Sequence, residues 1–436
     1  MTNIQTVLDI HDKPSPGKLT TLSIQHMFAM FGATILVPQL VGLSPAIALL
    51  TSGIATLIFL FVTKWQVPAY LGSSFAFIVP IMAVTEISGI GSAMIGSLFV
   101  ALVYFIVSLV IWKTGYEWIM KLLPPIVVAP VIIVIGLALS PVAIDMAMNI
   151  DTNGDNIKEY SMLHFSAALV TLAAAVITTL FFKGILSLMP VLIGIIVGYV
   201  YSLIIGIVDF STVLTAKWIS APDFLLPGID YEFIVTPTLL FLMVPIAIVT
   251  ISEHIGHQLV LGKIVNRDYI KEPGLNRSLL GDGLGTFISG LIGGPPKTTY
   301  GENIGVLAIT RVYSVYVIAG AAILAILFSF LGKVMALIAT IPTAVLGGIS
   351  ILLFGIIASS GLRMLVDNNI DFGDKRNLVI ASIILVIGIG GAKLHFSDTF
   401  ELEGMALAAI IGVLLNLLLP GKSQEAVQIE DNIKKK

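Results

Sequence analysis

The chain has 436 residues, 57% of them hydrophobic and 11% charged, with a mean hydropathy of +1.02; soluble domains carry about 25% charged residues. That composition describes a polytopic membrane protein and leaves no long soluble domain for an enzyme to occupy. A net charge of −3 gives no hint of nucleic acid as a partner, and the absence of cysteine excludes disulfides and thiolate metal sites.

Residues 1–18 are polar and lack the basic-then-apolar order of a cleavable leader. Beyond them, apolar runs bounded by charge, proline or glycine predict spans at 19–40, 46–63, 69–84, 92–112, 123–140, 163–182, 185–208, 238–260, 278–294, 302–311, 313–332, 340–359, 377–392 and 404–420. The runs at 69–84 and 302–311 are short and carry helix breakers. With the N-terminus inside, 18 of the 23 Lys and Arg residues fall on inner segments and five on outer loops: Lys158, Lys217, Lys297, Lys333 and Lys393. The positive-inside rule therefore makes residues 1–18 and 421–436 cytoplasmic tails.

Weak internal matches recur in one order. Residues 22–26 match 250–254, 52–56 match 282–286, and 72–75 match 300–303, at offsets of about 228–230 residues; 136–140 match 355–359 at about 219. They define a seven-span repeat, residues 19–208 and 238–420, joined by an outer loop at 209–237. Seven is odd, so the second copy enters the membrane from the opposite face. The third and tenth spans, both broken, correspond, which points to a binding site at mid-membrane.

The stretch 298–311 is too short to cross a hydrocarbon core, which needs about 20 residues, and its non-helical backbone must be buried in protein or line a wet cavity. It carries Glu302, which would cost roughly 2.5–3.5 kcal/mol facing lipid at a helix centre. In the eighth span Glu253 and His257 are i,i+4 neighbours on one helical face, placed for proton exchange. His254 points elsewhere and reads as a packing or interfacial residue. Asp282 reads equally as a helix-end or interfacial residue and as a functional one, Arg311 as a snorkelling cation, and Gly194 with Gly198 as a packing face. The run 293–298 lacks the glycine that precedes the lysine of a phosphate loop, and no HExxH order is present. An anion would be repelled by Glu253 and Glu302. A neutral planar heterocycle with N–H donors would suit them, its carbonyls meeting free backbone N–H groups near Phe75 and Gly301, with Phe75 or Tyr300 as an aromatic wall. A metal cation would also suit two carboxylates.

The pattern Glu302-Asn303-x-Gly305-x4-Thr310-Arg311 resembles the signature of the nucleobase/ascorbate transporter family. Gln25-His26, the run from Ala69 to Phe77, and Ser252-Glu253-His254-x-Gly256-His257 extend the resemblance over residues 19–420, most closely to the family's uracil-transporting branch. It implies an all-α membrane protein of fourteen spans with a short strand in spans 3 and 10. A core domain (spans 1–4 and 8–11) would move against a gate domain (spans 5–7 and 12–14), as a homodimer in the lipid bilayer of a bacterial cell membrane. It further implies that Glu253 and Glu302 bind uracil, that Phe75, Gly301 and Tyr300 complete the site, and that His257, Glu253 and Glu302 take part in proton coupling, with no cofactor beyond the co-transported proton. Phe354 stands near a tyrosine of some members. The alternatives are a xanthine or uric acid symporter and an anion exchanger of the same architecture.

Overall fold

Two three-residue strands at the centre of the molecule explain why two of the apolar runs are broken. The computed structural model describes residues 6–151, 158–397 and 400–420. The first half runs α1 (Pro16–Leu40), α2 (Pro45–Val62), β1 (Leu71–Ser73), a 3-10 turn (Phe75–Phe77) leading into α3 (Ile78–Ser88), and α4 (Ile90–Thr114). It continues with α5 (Glu117–Leu122), α6 (Pro125–Ala138), α7 (Ser140–Met148), β2 (Asn149–Asp151), β3 (Lys158–Tyr160), α8 (Met162–Phe181) and α9 (Pro190–Ile204). After α10 (Ser211–Thr215) come α11 (Pro237–Met243), α12 (Ile246–Val265), α13 (Leu275–Leu291), β4 (Lys297–Thr299), α14 (Gly301–Thr310), α15 (Val315–Ser329) and α16 (Gly332–Ala339). The chain closes with α17 (Thr343–Asp367), α18 (Lys375–Ile389), β5 (Lys393–Ser397), β6 (Phe400–Glu403) and α19 (Gly404–Leu418).

Local chemistry sets many of these boundaries. Proline occupies the first turn of α1, α2, α6, α7, α9 and α11, where its missing N–H costs nothing. Ser161, Thr236 and Asp374 cap α8, α11 and α18 by accepting backbone N–H groups. Among the described residues seven helices, counting α6 with α7 and α11 with α12, are long and apolar enough to cross a membrane by length and composition. Large apolar side chains such as Phe61, Trp112, Phe181 and Ile204 are exposed on the outside, as suits a surface facing lipid rather than water.

The helices pack in two groups. In one, α13 lies against α2 and α4, and α15 against α1 and α2; in the other, α17 lies against α6, α7 and α8, and α18 against α6 and α19. Close approach at α17 relies on small residues: a Cβ on Gly348 would sit 2.3 Å from the Ala168 carbonyl oxygen, and one on Gly361 2.6 Å from that of Ala129. Gly194 and Gly198 of α9 likewise face Thr171 and Ala175 of α8, the packing role expected of them.

Within the first group, against α2 and α13, β1 and β4 pair antiparallel, Leu71 opposite Thr299, Gly72 opposite Thr298 and Ser73 opposite Lys297. Helical side chains satisfy their remaining polar groups. Thr56 of α2 bonds both the N–H (2.9 Å) and the carbonyl (3.4 Å) of Leu71, and Thr286 of α13 does the same for Lys297, both at 3.1 Å. Ser289 donates to the Pro295 carbonyl, and the Asn303 amide oxygen accepts from Tyr70 N–H. Buried backbone groups are thus paired without water.

Helices occupy all fourteen predicted ranges, with three shifts. The twelfth continues as α17 to Asp367, the fifth continues through α7 to Met148, and the seventh becomes α-helical only at Pro190. Two hairpins, β2–β3 and β5–β6, stand where polar loops were expected; Lys158 pairs there with Asp145. Lys297 is not a loop residue at all: it lies in β4 and is fully buried. Lys422 and Lys434–Lys436 lie outside the described residues.

The strand crossing depends on Gly72, because a Cβ there would fall 1.9–2.4 Å from the phenol end of the Tyr300 side chain. Gly72→Ala should therefore lower stability by about 1–3 kcal/mol or more through overpacking, read as a lower unfolding midpoint of the purified protein in detergent. Gly355→Ala, with open space around its Cβ, should leave the midpoint unchanged or slightly raised.

Candidate substrate site

Each central strand runs straight into a helix, and because the strands are antiparallel the two helices leave in opposite directions. The N-terminal turns at Phe75 and at Gly301 therefore converge beside the strand pair. The first N–H groups of a helix lack intrahelical acceptors and carry partial positive charge, so this crossing presents donors from two sides. Glu302 lies in the first turn of α14, where a carboxylate is favoured by the same dipole.

A cavity of about 200 Å³ opens here, lined by Phe75, Glu253, His257, Tyr300, Gly301 and Glu302 together with Thr298 and Thr299. The six residues expected to form the substrate and proton site thus line one cavity. The helical spacing of Glu253 and His257 turns both toward the cavity. His257 Nδ1 lies 3.2 Å from Thr299 Oγ1, and its ring backs onto Gly301, where a Cβ would be 3.2 Å from Nε2. Glu253 Oε2 and Glu302 Oε1 are buried and have no hydrogen-bond partner in the protein, unusual for such strong acceptors. Tyr300 stacks with Phe75, centroids 6.5 Å apart at 26°, and donates its hydroxyl to the Ser73 carbonyl at 3.3 Å, so its polar end belongs to the strand. Phe354 of α17 meets Phe75 edge-on at 5.9 Å.

Sequence reading missed the opposite wall. Ile132 of α6 and Ile356, Ile357, Ser360, Arg363 and Met364 of α17 close the cavity from the second packing group. No pattern in the sequence pairs α17 with α14, and three of these residues lie beyond the predicted end of the twelfth span. Thr298, whose hydroxyl is also unpartnered, was legible only as part of the broken stretch. Among the described residues no cluster of three or more His, Asp or Glu side chains is brought together for a metal.

Two readings are corrected. His254 is not a packing residue: it is fully buried, with Nδ1 2.8 Å from Asp282 Oδ2 and Nε2 2.9 Å from Ser278 Oγ. Asp282 is not at a helix end but inside α13, equally buried. The pair ties α12 to α13 directly behind Glu253, which fixes the face that Glu253 presents. Arg311 caps α14 in the left-handed region at φ 56°, and its carbonyl accepts from Val7 and Leu8 N–H.

A model of a permease family matches residues 17–396. The chain belongs to this family, the nucleobase/ascorbate transporters. The uracil permease of Bacillus caldolyticus is 66% identical over 427 residues, 98% of each chain. That of Escherichia coli K12 is 43% identical over 411 residues, 94% of this chain and 93% of the other. Among solved structures, the transmembrane domain of the cyanobacterial bicarbonate transporter BicA superposes with a TM-score of 0.65 at 14% identity, covering 95% of this chain and all of that one. SLC26A9 superposes at 0.67 and 12%, covering 92% of this chain and 64% of that one; at such identities the likeness is one of fold alone. This permease is a multi-pass membrane transporter and not an enzyme.

The buried His254–Asp282 pair gives a measurable consequence. Asp282→Ala strands His254 and should cost about 3–5 kcal/mol of stability, whereas Ser278→Ala should cost about 1 kcal/mol. Chemical unfolding in detergent measures both, and equal losses would show that the carboxylate is not the principal partner.

Proposed function

We propose that this permease is a proton-coupled uracil symporter working by alternating access. The observation that carries the reading is the pair of partnerless carboxylate oxygens, Glu253 Oε2 and Glu302 Oε1, lining one small cavity at which two helix N-termini meet. Uracil offers ring N–H donors for the carboxylates and carbonyl oxygens for the helix-end N–H groups of Phe75 and Gly301. The Phe75 ring supplies an apolar face. A cavity of about 200 Å³ is below the ~300–1,000 Å³ typical of drug-sized ligands and suits one ring better than the two fused rings of xanthine or uric acid, the alternative substrates. The relatives that are named uracil permeases support the same choice.

Fourteen crossings in two inverted halves, residues 19–208 and 238–420, form the proposed topology. The matching clips of Thr56 on Leu71 and Thr286 on Lys297 support it, since the two threonines stand at the repeat offset read from the sequence and each holds the first residue of its strand. Core and gate correspond to the two packing groups, with the site between them; a homodimer in a bacterial cell membrane with both termini cytoplasmic completes the assignment. The cavity reaches from the strand crossing to exposed Arg363, on the side that the positive-inside rule makes cytoplasmic. A separate cavity of about 210 Å³, lined by Val79, Pro80, Ile246 and Met405, lies beyond Phe75 along α3. Rocking of the gate would open one as it closes the other.

Protonation within the group Glu253, His257 and Glu302 would organise the site, and loss of that proton inside would release uracil. One charge crossing 100 mV is worth about 2.3 kcal/mol, and a tenfold gradient takes about 1.4 kcal/mol, so one proton sustains somewhat under two decades of accumulation from voltage alone.

The test is uptake of radiolabelled uracil into proteoliposomes under an imposed inward proton gradient. Wild type should accumulate uracil. Glu253→Gln and Glu302→Gln should each lose accumulation and weaken equilibrium binding by roughly 10–100-fold, the scale of a lost charge-assisted hydrogen bond. Accumulation that follows a sodium gradient instead, or that survives both substitutions, would sink the mechanism.

A further inference from the structure

Lys297 has no part in the transport scheme, yet its side chain is fully buried in a short strand at the centre of the protein. Its Nζ lies 3.1 Å from the Ala48 carbonyl, 2.9 Å from Ser52 Oγ and 3.3 Å from Ser73 Oγ. An ammonium group has three donors and no acceptor, and here it meets three oxygens, one of them a carbonyl that can only accept. No ion pair of the described residues includes it. A buried charge without a counter-ion is held only where dipoles replace its hydration shell, and oxygen ligands drawn from a helix and an unwound segment are how transporters hold small cations at mid-membrane.

We infer that the Ala48 carbonyl and the Ser52 and Ser73 hydroxyls form a site for a compact monovalent cation, which this chain fills permanently with its own Lys297 ammonium. The tethered cation joins α2 to both strands at once, because Ser73 belongs to β1 and Lys297 to β4. It therefore sets the spacing of the two helix N-termini that face the cavity. Lysine is a compact point charge on a flexible stem, so shortening the stem removes the charge and leaves its oxygen cage. Potassium, close to ammonium in size and bound through the same oxygen contacts, is the cation best suited to enter; sodium suits it less, and choline is too large.

The experiment uses the full chain purified in potassium chloride. Unfolding midpoints are then compared in potassium, sodium and choline chloride at equal ionic strength, without uracil. Wild type should show one midpoint in all three salts. Lys297→Ala and Lys297→Asn should lose at least about 5 °C in choline and regain it saturably in potassium. Lys297→Met, whose long neutral side chain fills the space, should be lowered alike in every salt. Uracil binding by Lys297→Ala should weaken by about tenfold in choline and recover in potassium. Equal losses for Ala, Asn and Met in all salts would overturn the inference and leave Lys297 a simple cross-link. So would failure of the Ala and Asn variants to fold in potassium chloride, since potassium should restore them. The unfolding readout does not depend on the substrate, so its failure and a failure of the uracil assignment are separable.

Discussion

Everything at the centre of this permease follows from one constraint: unwound backbone deep in a membrane protein must find its hydrogen bonds inside the protein. Six strand residues interrupt what would otherwise be continuous helices, and each interruption exposes N–H and C=O groups that neither lipid nor helix can satisfy. The solution is reciprocal. Each strand satisfies the other, and threonines on α2 and α13 satisfy what the pairing leaves over. Neither broken segment is stable alone, so the strands, α2 and α13 form a single unit, and helices packed on α2 and α13 are held to it.

The same interruption creates the chemistry. A continuous helix has its polar termini at the membrane surface, whereas a helix that begins at Phe75 or Gly301 brings its donor end to the protein centre. Glu253 and Glu302 bring acceptors to the same place, and His254 with Asp282 fixes α12 from behind so that Glu253 faces inward. Donors and acceptors are thus fixed before any ligand arrives, and the cost of holding them is met by the buried networks around them rather than by the ligand.

How far the sequence discloses this arrangement depends on the range of the signal. Glu253 and His257 were legible because i,i+4 spacing is local, and Glu302 because a carboxylate in an apolar stretch demands an explanation. The broken third and tenth runs were legible as breaks, but not the register of their pairing, which needs contacts between residues more than 200 positions apart. Lys297 misled for a physical reason. Next to Pro295-Pro296 and outside an apolar run it has the look of a loop cation, and only the fold shows α2 oxygens surrounding it. His254 and Asp282 misled similarly: a histidine on an apolar helix and an aspartate near a glycine pair look unpartnered until α12 and α13 are laid side by side. The two hairpins depend on pairing across turns of polar sequence that carries no strand period long enough to recognise.

Under the proposed topology of two inverted halves, the differences between the halves are informative. Thr56 and Thr286 do the same work at corresponding positions, but one turn earlier Ser52 faces the Lys297 ammonium whereas Asp282 faces the His254 imidazole. The threonine clip recurs while the charges do not: Glu253, Asp282, Lys297 and Glu302 all belong to the proposed second half. Two symmetric half-sites would bind a symmetric ligand, or two ligands, across the strand pair. Loading one half with the acceptors and leaving the other with backbone donors and the Phe75 ring gives one site with a direction, suited to a ring whose edges differ. Because the first half supplies mainly backbone groups there, it can do without a side chain where the second half needs the room, as at Gly72, whose missing Cβ lets Tyr300 lie against the strand. The close fit that carries the site is therefore built by the half that contributes the least of its polar chemistry.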